Sequence, residues 1–204
     1  MGGNPPQEKL MSKLYFRYGA MNSGKSTAVL QAAHNYEERS QKILLAKPAI
    51  DSKGERAIVS RLGVTRNVDF LIEPHQNLRE LFKEYAKGNE IACLLLDEAQ
   101  FLTHDQVDQA LEIAVIEDVP VLAYGIRTDF LTNGFPGSTR LMELAHSLEE
   151  LKTICRCGRK AMFNTRIVNG KFIFEGEQVA IDGTTVTYES LCPKCYLKER
   201  GSFS

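Results

Sequence analysis

A chain of 204 residues, 43% hydrophobic and 25% charged, has material for one sizeable core plus a small appendage and lacks the composition of a disordered protein. Its formal net charge of -1 offers no overall field for a phosphate backbone or an anionic bilayer. No apolar run approaches the roughly 18 residues of a membrane span, and Met1 to Lys9 is polar rather than signal-like. The expectation is a cytoplasmic protein with neither a membrane nor a nucleic-acid partner.

After a tail at 1–11, Leu14 to Tyr18 reads as an aromatic-rich strand, broken by Gly19 and followed by a helix from about Ser23 to Arg39. Ile43 to Ala46 reads as a second buried strand. Asp51 to Asn67, with its charges and two glycines, reads as a mobile connection with weak regular structure. Gln76 to Lys87 carries Leu78, Leu81, Phe82 and Tyr85 at helical spacing, Ile91 to Leu96 is a buried strand, and Thr103 to Glu117 is an amphipathic helix opened by a Thr103/Gln106 capping box. Val119 to Tyr124 supplies another strand and Ser138 to Leu148 another helix. This alternation predicts an α/β fold, a mainly parallel sheet with helices on both faces, over 12–150. From 151 to 198 the character changes to short β-prone pieces, with a hairpin signalled by Asn169-Gly170 between Thr165–Val168 and Lys171–Phe174; 199–204 is a tail.

Gly19-Ala20-Met21-Asn22-Ser23-Gly24-Lys25-Ser26 matches G-x-x-x-x-G-K-[ST] after a strand and before a helix. In such a P-loop, backbone N–H groups curl round phosphate oxygens, Lys25 reaches the β/γ-phosphates and the Ser26 hydroxyl ligates magnesium. The expected cofactors are therefore ATP and Mg2+. The second element is Asp97-Glu98-Ala99-Gln100-Phe101 at the end of the apolar strand Ile91–Leu96, where parallel sheets bind ligands. An acid there holds magnesium, which points to Asp97, and Glu98 can take a proton from an attacking hydroxyl.

Of the five cysteines, Cys93 lies in the run Ile91–Leu96 and reads as a buried structural thiol. Cys155, Cys157, Cys192 and Cys195 form two close pairs that can supply four thiolates to a structural zinc ion. The segment from Glu175 to Leu191 between them reads as a loop, anchored at both ends, that closes over a ligand.

Together these motifs resemble the zinc-containing type II thymidine kinases, over about Leu14 to Tyr196. The likeness rests on Tyr18 to Ser26, Ser60-Arg61-Leu62-Gly63, Asp97 to Phe101, Gly125 to Phe130, and Gly176-Glu177-Gln178-Val179 before the last cysteine pair. The resemblance implies P-loop NTPase-like topology with a small zinc-binding β domain. It implies transfer of the γ-phosphoryl of ATP to the 5'-hydroxyl of thymidine, giving dTMP and ADP in nucleotide salvage for DNA synthesis. It makes Glu98 the base, adds Gln100 to the ATP side, and gives Arg61 a part in neutralising phosphate charge. Met21, Phe101, Ile126, Phe130 and Phe135 would line the thymine pocket, with Val179, Ile181, Gly183 and Tyr188 covering it. A homotetramer inhibited by dTTP is implied as well. The one-residue spacer in Cys155-Arg156-Cys157 and the tail before the first strand depart from the commonest family pattern.

Two rival readings fit the sequence less well. Asp97-Glu98-Ala99-Gln100 looks like a helicase-type acidic box, but size argues against a helicase, since 204 residues leave none for the second motor domain expected of one, and there is no basic stripe with interleaved aromatics. A GTP-dependent switch lacks its N-K-x-D pattern.

Overall fold

The computed structural model describes residues 11–49, 56–61, 63–176 and 186–202. Its elements run β1 (Leu14–Tyr18), α1 (Lys25–Glu37), β2 (Ile43–Pro48), β3 (Ala57–Val59), β4 (Thr65–Asn67), β5 (Phe70–Ile72), α2 (Leu78–Ala86), β6 (Cys93–Leu96), α3 (His104–Val115), β7 (Val121–Gly125), α4 (Pro136–Leu144) and β8 (Ser147–Glu150). The cysteine-rich part follows with β9 (Thr153–Ile154), β10 (Lys160–Ala161), β11 (Phe163–Val168), β12 (Lys171–Ile173), β13 (Val186–Leu191) and α5 (Pro193–Glu199).

Six strands form one sheet in the order β5-β2-β6-β7-β1-β8, every pair parallel. Because side chains alternate along a strand, a continuous apolar run buries itself only if both faces are covered. That is how the run Cys93–Leu96 is used: Leu94 and Leu96 face a core with Phe82, Ile113 and Leu141, whereas Cys93 and Leu95 face a second core with Val29 and Ala33. Helices α2, α3 and α4 thus cover one face, and α1 with the β3–β4 hairpin covers the other. The capping box at α3 is present, Thr103 Oγ1 accepting from Gln106 N at 3.2 Å and Gln106 Oε1 from Thr103 N at 3.1 Å.

The cysteine-rich part has its own small core of Cys155, Ala161, Leu191, Cys192 and Tyr196 under the three-stranded sheet β12-β11-β13. Asn169 and Gly170 both have positive φ, 49° and 77°, as a two-residue hairpin turn of the I′ type requires.

Three expectations are corrected. The helix expected over Ser138 to Leu148 ends at Leu144, and Ser147–Glu150 is instead the edge strand β8, paired in parallel with β1. Pairing to the sheet overrides the helical preference of Leu148-Glu149-Glu150. The expected weak connection contains the β3–β4 hairpin, anchored by Arg66, whose Nη1 and Nη2 donate to Glu37 at 2.8 and 2.7 Å; residues 51–55 and 62 of it lie outside the described set. The long loop expected up to Leu191 ends by Val186, where β13 begins. Strand β5 is too short to signal itself and was not expected.

Candidate active site

The loop between β1 and α1 owes its shape to its backbone. Gly24 caps the helix at φ 81°, ψ 18°, a left-handed conformation that costs glycine nothing, and Asn22 also has positive φ, 68°. At Gly19 a Cβ would lie 2.5 Å from the Leu151 carbonyl oxygen and 2.4 Å from Ser23 Oγ, so the chain passes too close for any side chain. The helix therefore begins at Lys25 with free N–H groups and positive potential aimed into the cleft. Lys25 Nζ arches over the loop, donating to the carbonyls of Ala20 at 2.9 Å and Gly19 at 3.3 Å and approaching Ser23 Oγ at 3.4 Å. Burial lowers its pKa, and the charges of Glu98 and Asp97 oppose that shift.

Those two acids come off the end of β6. Asp97 is buried, and desolvation, then the charge of Glu98, pushes its carboxyl well above the usual carboxylate range; the Glu98 backbone, Lys25 and Lys47 pull the other way. A buried acid so disposed is a fitting ligand for a cation. Glu98 adopts left-handed backbone, φ 51°, ψ 35°, which turns the chain into a short 3-10 turn at Ala99–Phe101. A non-glycine residue so placed is strained, and such strain gathers at working sites. The buried Gln100 fixes the Glu98 side chain: its Nε2 donates to Glu98 Oε2 while its Oε1 accepts from Ile126 N at 3.2 Å.

Two cavities meet here. One of about 360 Å³ is walled by Asn22, Gly24, Lys25 and Ser26 of the phosphate loop and by Arg61, Glu98 and Gln100. Arg61, expected to help neutralise phosphate charge, lines this larger cavity, and its Nη2 donates to Asn22 Oδ1. A second cavity of about 90 Å³ is lined by Met21, Phe101, Ile126, Phe130, Phe135 and Tyr188. Met21, Phe101 and Ile126 belong to both. The apolar walls are braced by an edge-on contact of Phe101 with Phe135, centroids 5.3 Å apart, and by the guanidinium of Arg166, 3.8 Å over the Phe130 ring. Val179, Ile181 and Gly183 lie outside the described residues.

The cavities also have walls that sequence reasoning missed: Thr27 and Val59 in the larger, Asp129 and Asn164 in the smaller. Asp129 shapes the loop after β7, its Oδ1 accepting from Leu131 N at 2.9 Å and Asn133 N at 2.8 Å. The run Asp129 to Gly134 carried a turn signal that marks this role. Asn164 carried none, since an isolated Asn inside a strand looks like a solvated position.

The sulfur atoms of Cys155, Cys157, Cys192 and Cys195 all lie within 4.8 Å of one another, which suits tetrahedral coordination at about 2.3 Å per Zn–S bond. Despite the tight Cys155-Arg156-Cys157 spacing, Cys157 Sγ lies 3.5 Å from the Sγ of Cys192, which caps α5 by accepting from Cys195 N at 3.5 Å. Cys93 is separate and fully buried in the sheet, where desolvation pushes its thiol up to about 12.

A parallel sheet with a P-loop after its β1 strand and paired acids at the end of β6 defines an α/β nucleotide-binding protein of the P-loop class. Comparison with known proteins narrows this. Residues 12–196 match the family model described as thymidine kinase. The chain is 46% identical to the thymidine kinase of Idiomarina loihiensis over 194 residues, 94% of this chain and 99% of that one. It is 48% identical to that of Legionella pneumophila strain Paris over 89% and 88% of the two chains, and 44% identical to that of Ruegeria pomeroyi over 94% and 96%. The chain belongs to the thymidine kinase family. Among the described residues no helix is long and apolar enough to cross a membrane.

Proposed function

We propose that this protein transfers the γ-phosphoryl group of ATP to the 5'-hydroxyl of thymidine, releasing dTMP and ADP. The observation that carries the reading is the junction of the phosphate-side cavity with the apolar cavity through Met21, Phe101 and Ile126, with Glu98 in the wall of the first. Thymidine bound with its base among Phe130, Phe135 and Tyr188 directs its hydroxyl toward Glu98 and the loop. The Glu98 carboxylate takes the hydroxyl proton as the 5'-oxygen bonds to the γ-phosphorus, and the bond from that phosphorus to the β-bridging oxygen breaks to leave ADP. Loop N–H groups and Lys25 hold the β- and γ-phosphates, and Arg61 faces the same charge. Ser26 and the buried Asp97 would hold magnesium, which supplies neutralisation of the phosphate oxygens.

Little covalent work falls to the protein in such a transfer, so positioning dominates the rate enhancement. The four converging thiols fit a structural zinc ion, because four protein ligands leave no open position for substrate. By the same family reading the protein works in the cytoplasm as a homotetramer, with dTTP as feedback inhibitor.

The test is ADP release from ATP and magnesium with thymidine, deoxycytidine, deoxyadenosine, deoxyguanosine or single-stranded DNA added separately. Stimulation by thymidine is expected; stimulation by DNA alone would replace the kinase by a nucleic-acid-dependent ATPase.

A further inference from the structure

Met21 is a loop residue that lines both cavities and whose peptide groups on both sides are held by side chains from the cysteine-rich part. Its N–H donates to Asn164 Oδ1 at 2.7 Å, so this group of the loop is turned away from phosphate and into β11. Its carbonyl accepts from Ser190 Oγ of β13. Asn164 and Ser190 face each other across the antiparallel β11–β13 pair, both are buried, and they grip Met21 together. Asn164 has a further bond: its Nδ2 donates to the carbonyl of Thr128 at 3.0 Å, in the loop that carries Asp129 and Phe130. One amide therefore ties the phosphate loop, the base-side loop and the small sheet at a single point. A weaker contact of the same sense runs from Thr153 Oγ1 to the Asn22 carbonyl at 3.4 Å.

We propose that Asn164, paired with Ser190, is a positioning residue that sets the phosphate donor and the acceptor nucleoside at a fixed distance by holding Met21 and Thr128 from the cysteine-rich sheet. A buried amide is costly unless both its ends are bonded, and here both are used to bridge segments that carry different substrates. The P-loop is shaped by its glycines and the aromatic pocket mainly by its rings; Asn164 also stands in the wall of the smaller cavity, whereas Ser190 lines neither. What the bridge adds is registration of one against the other. Phosphoryl transfer is sensitive to that quantity, since a displacement of about 1 Å costs on the order of a hundredfold in rate.

The inference rests on the kinase reading, and the experiment separates the two. Asn164→Ala, Ser190→Ala and the double variant of the full chain are compared with the unaltered protein for kcat, for the Kd of ATP and of thymidine measured singly by calorimetry, and for Tm. Asn164→Ala is expected to lower kcat by about tenfold or more while the Kd of ATP stays within about threefold, and the Kd of thymidine, whose pocket Asn164 also lines, rises by less than kcat falls. Ser190→Ala, which lines neither cavity, is expected to show a smaller loss of kcat with both Kd values within about threefold. The double variant should lose little more than Asn164→Ala alone, because both act through Met21. Unchanged kcat, losses that track both Kd values and Tm together, or additive losses in the double variant would overturn the proposal. If Asn164→Ala does not fold, Ser190→Ala decides by the same split between kcat and Kd. Absence of thymidine-dependent turnover in the unaltered protein would overturn the function, and this inference with it.

Discussion

Glu98 combines a strained backbone, a wall position in the phosphate-side cavity and a side chain held by Gln100. Glu98→Gln preserves its size and its bond to Gln100 but cannot accept a proton, so kcat should fall by at least about a hundredfold, the lower range for general base catalysis. Binding of ATP and of thymidine, measured separately, should be nearly unchanged; near-normal turnover would remove Glu98 from the chemistry. Much of the site was legible at this scale. The P-loop and the Asp97-Glu98 pair announce themselves because phosphate chemistry needs particular residue types at particular spacings. The aromatic wall was reached only through the family resemblance, since Phe130, Phe135 and Tyr188 taken alone read equally well as core. Asn164 and Ser190 were illegible for a different reason. Their importance comes from the β11–β13 register and from a contact with Met21, remote in the chain, that no local pattern encodes.

Among the elements, α3 carries the clearest local instruction. Thr103 and Gln106 satisfy each other's backbone donors, and Gln106 Nε2 also donates to the carbonyls of Glu73 at 2.8 Å and Gln76 at 3.1 Å just before α2. Thr103→Ala removes a cap alone and should cost about 1 kcal/mol. Gln106→Ala leaves two carbonyls without this partner and should cost more, about 1–3 kcal/mol. In thermal melts of a chain this size each kcal/mol appears as a drop of about 2–4 °C, and equal drops for the two variants would refute the linking role of Gln106. The same contrast explains which elements could be read in advance. Helices with their own caps and strands buried on both faces carry their signal in a single window, as α3 and β6 do. Strands β5 and β8 do not: each is short and lies at an edge of the sheet, and β8 takes its conformation from β1.

For the molecule as a whole, the four thiols join the two ends of the cysteine-rich part, Cys155 and Cys157 from its beginning and Cys192 and Cys195 from its end. Elemental analysis of purified protein should find about one zinc per chain, as a four-thiolate site implies. Metal-free protein that is fully folded and active would dismiss the metal. Chelation should cost activity as well as stability, because β13 runs directly from Ser190, which holds Met21, into Cys192. The strand order has a consequence of its own for biosynthesis. Strand β1 leaves the ribosome first, yet its neighbours are β7 and β8, so Leu14 waits for Val121 and Tyr15 for Ser147. Pairings that distant close slowly, and until they close an apolar strand stands with both edges open. The phosphate loop hangs from the end of that strand and packs at Gly19 against Leu151. A nascent chain therefore cannot assemble its nucleotide site until nearly the whole of the large sheet has been synthesised, and a ribosome stalled before β8 displays a sticky, inactive polypeptide for chaperones to shield.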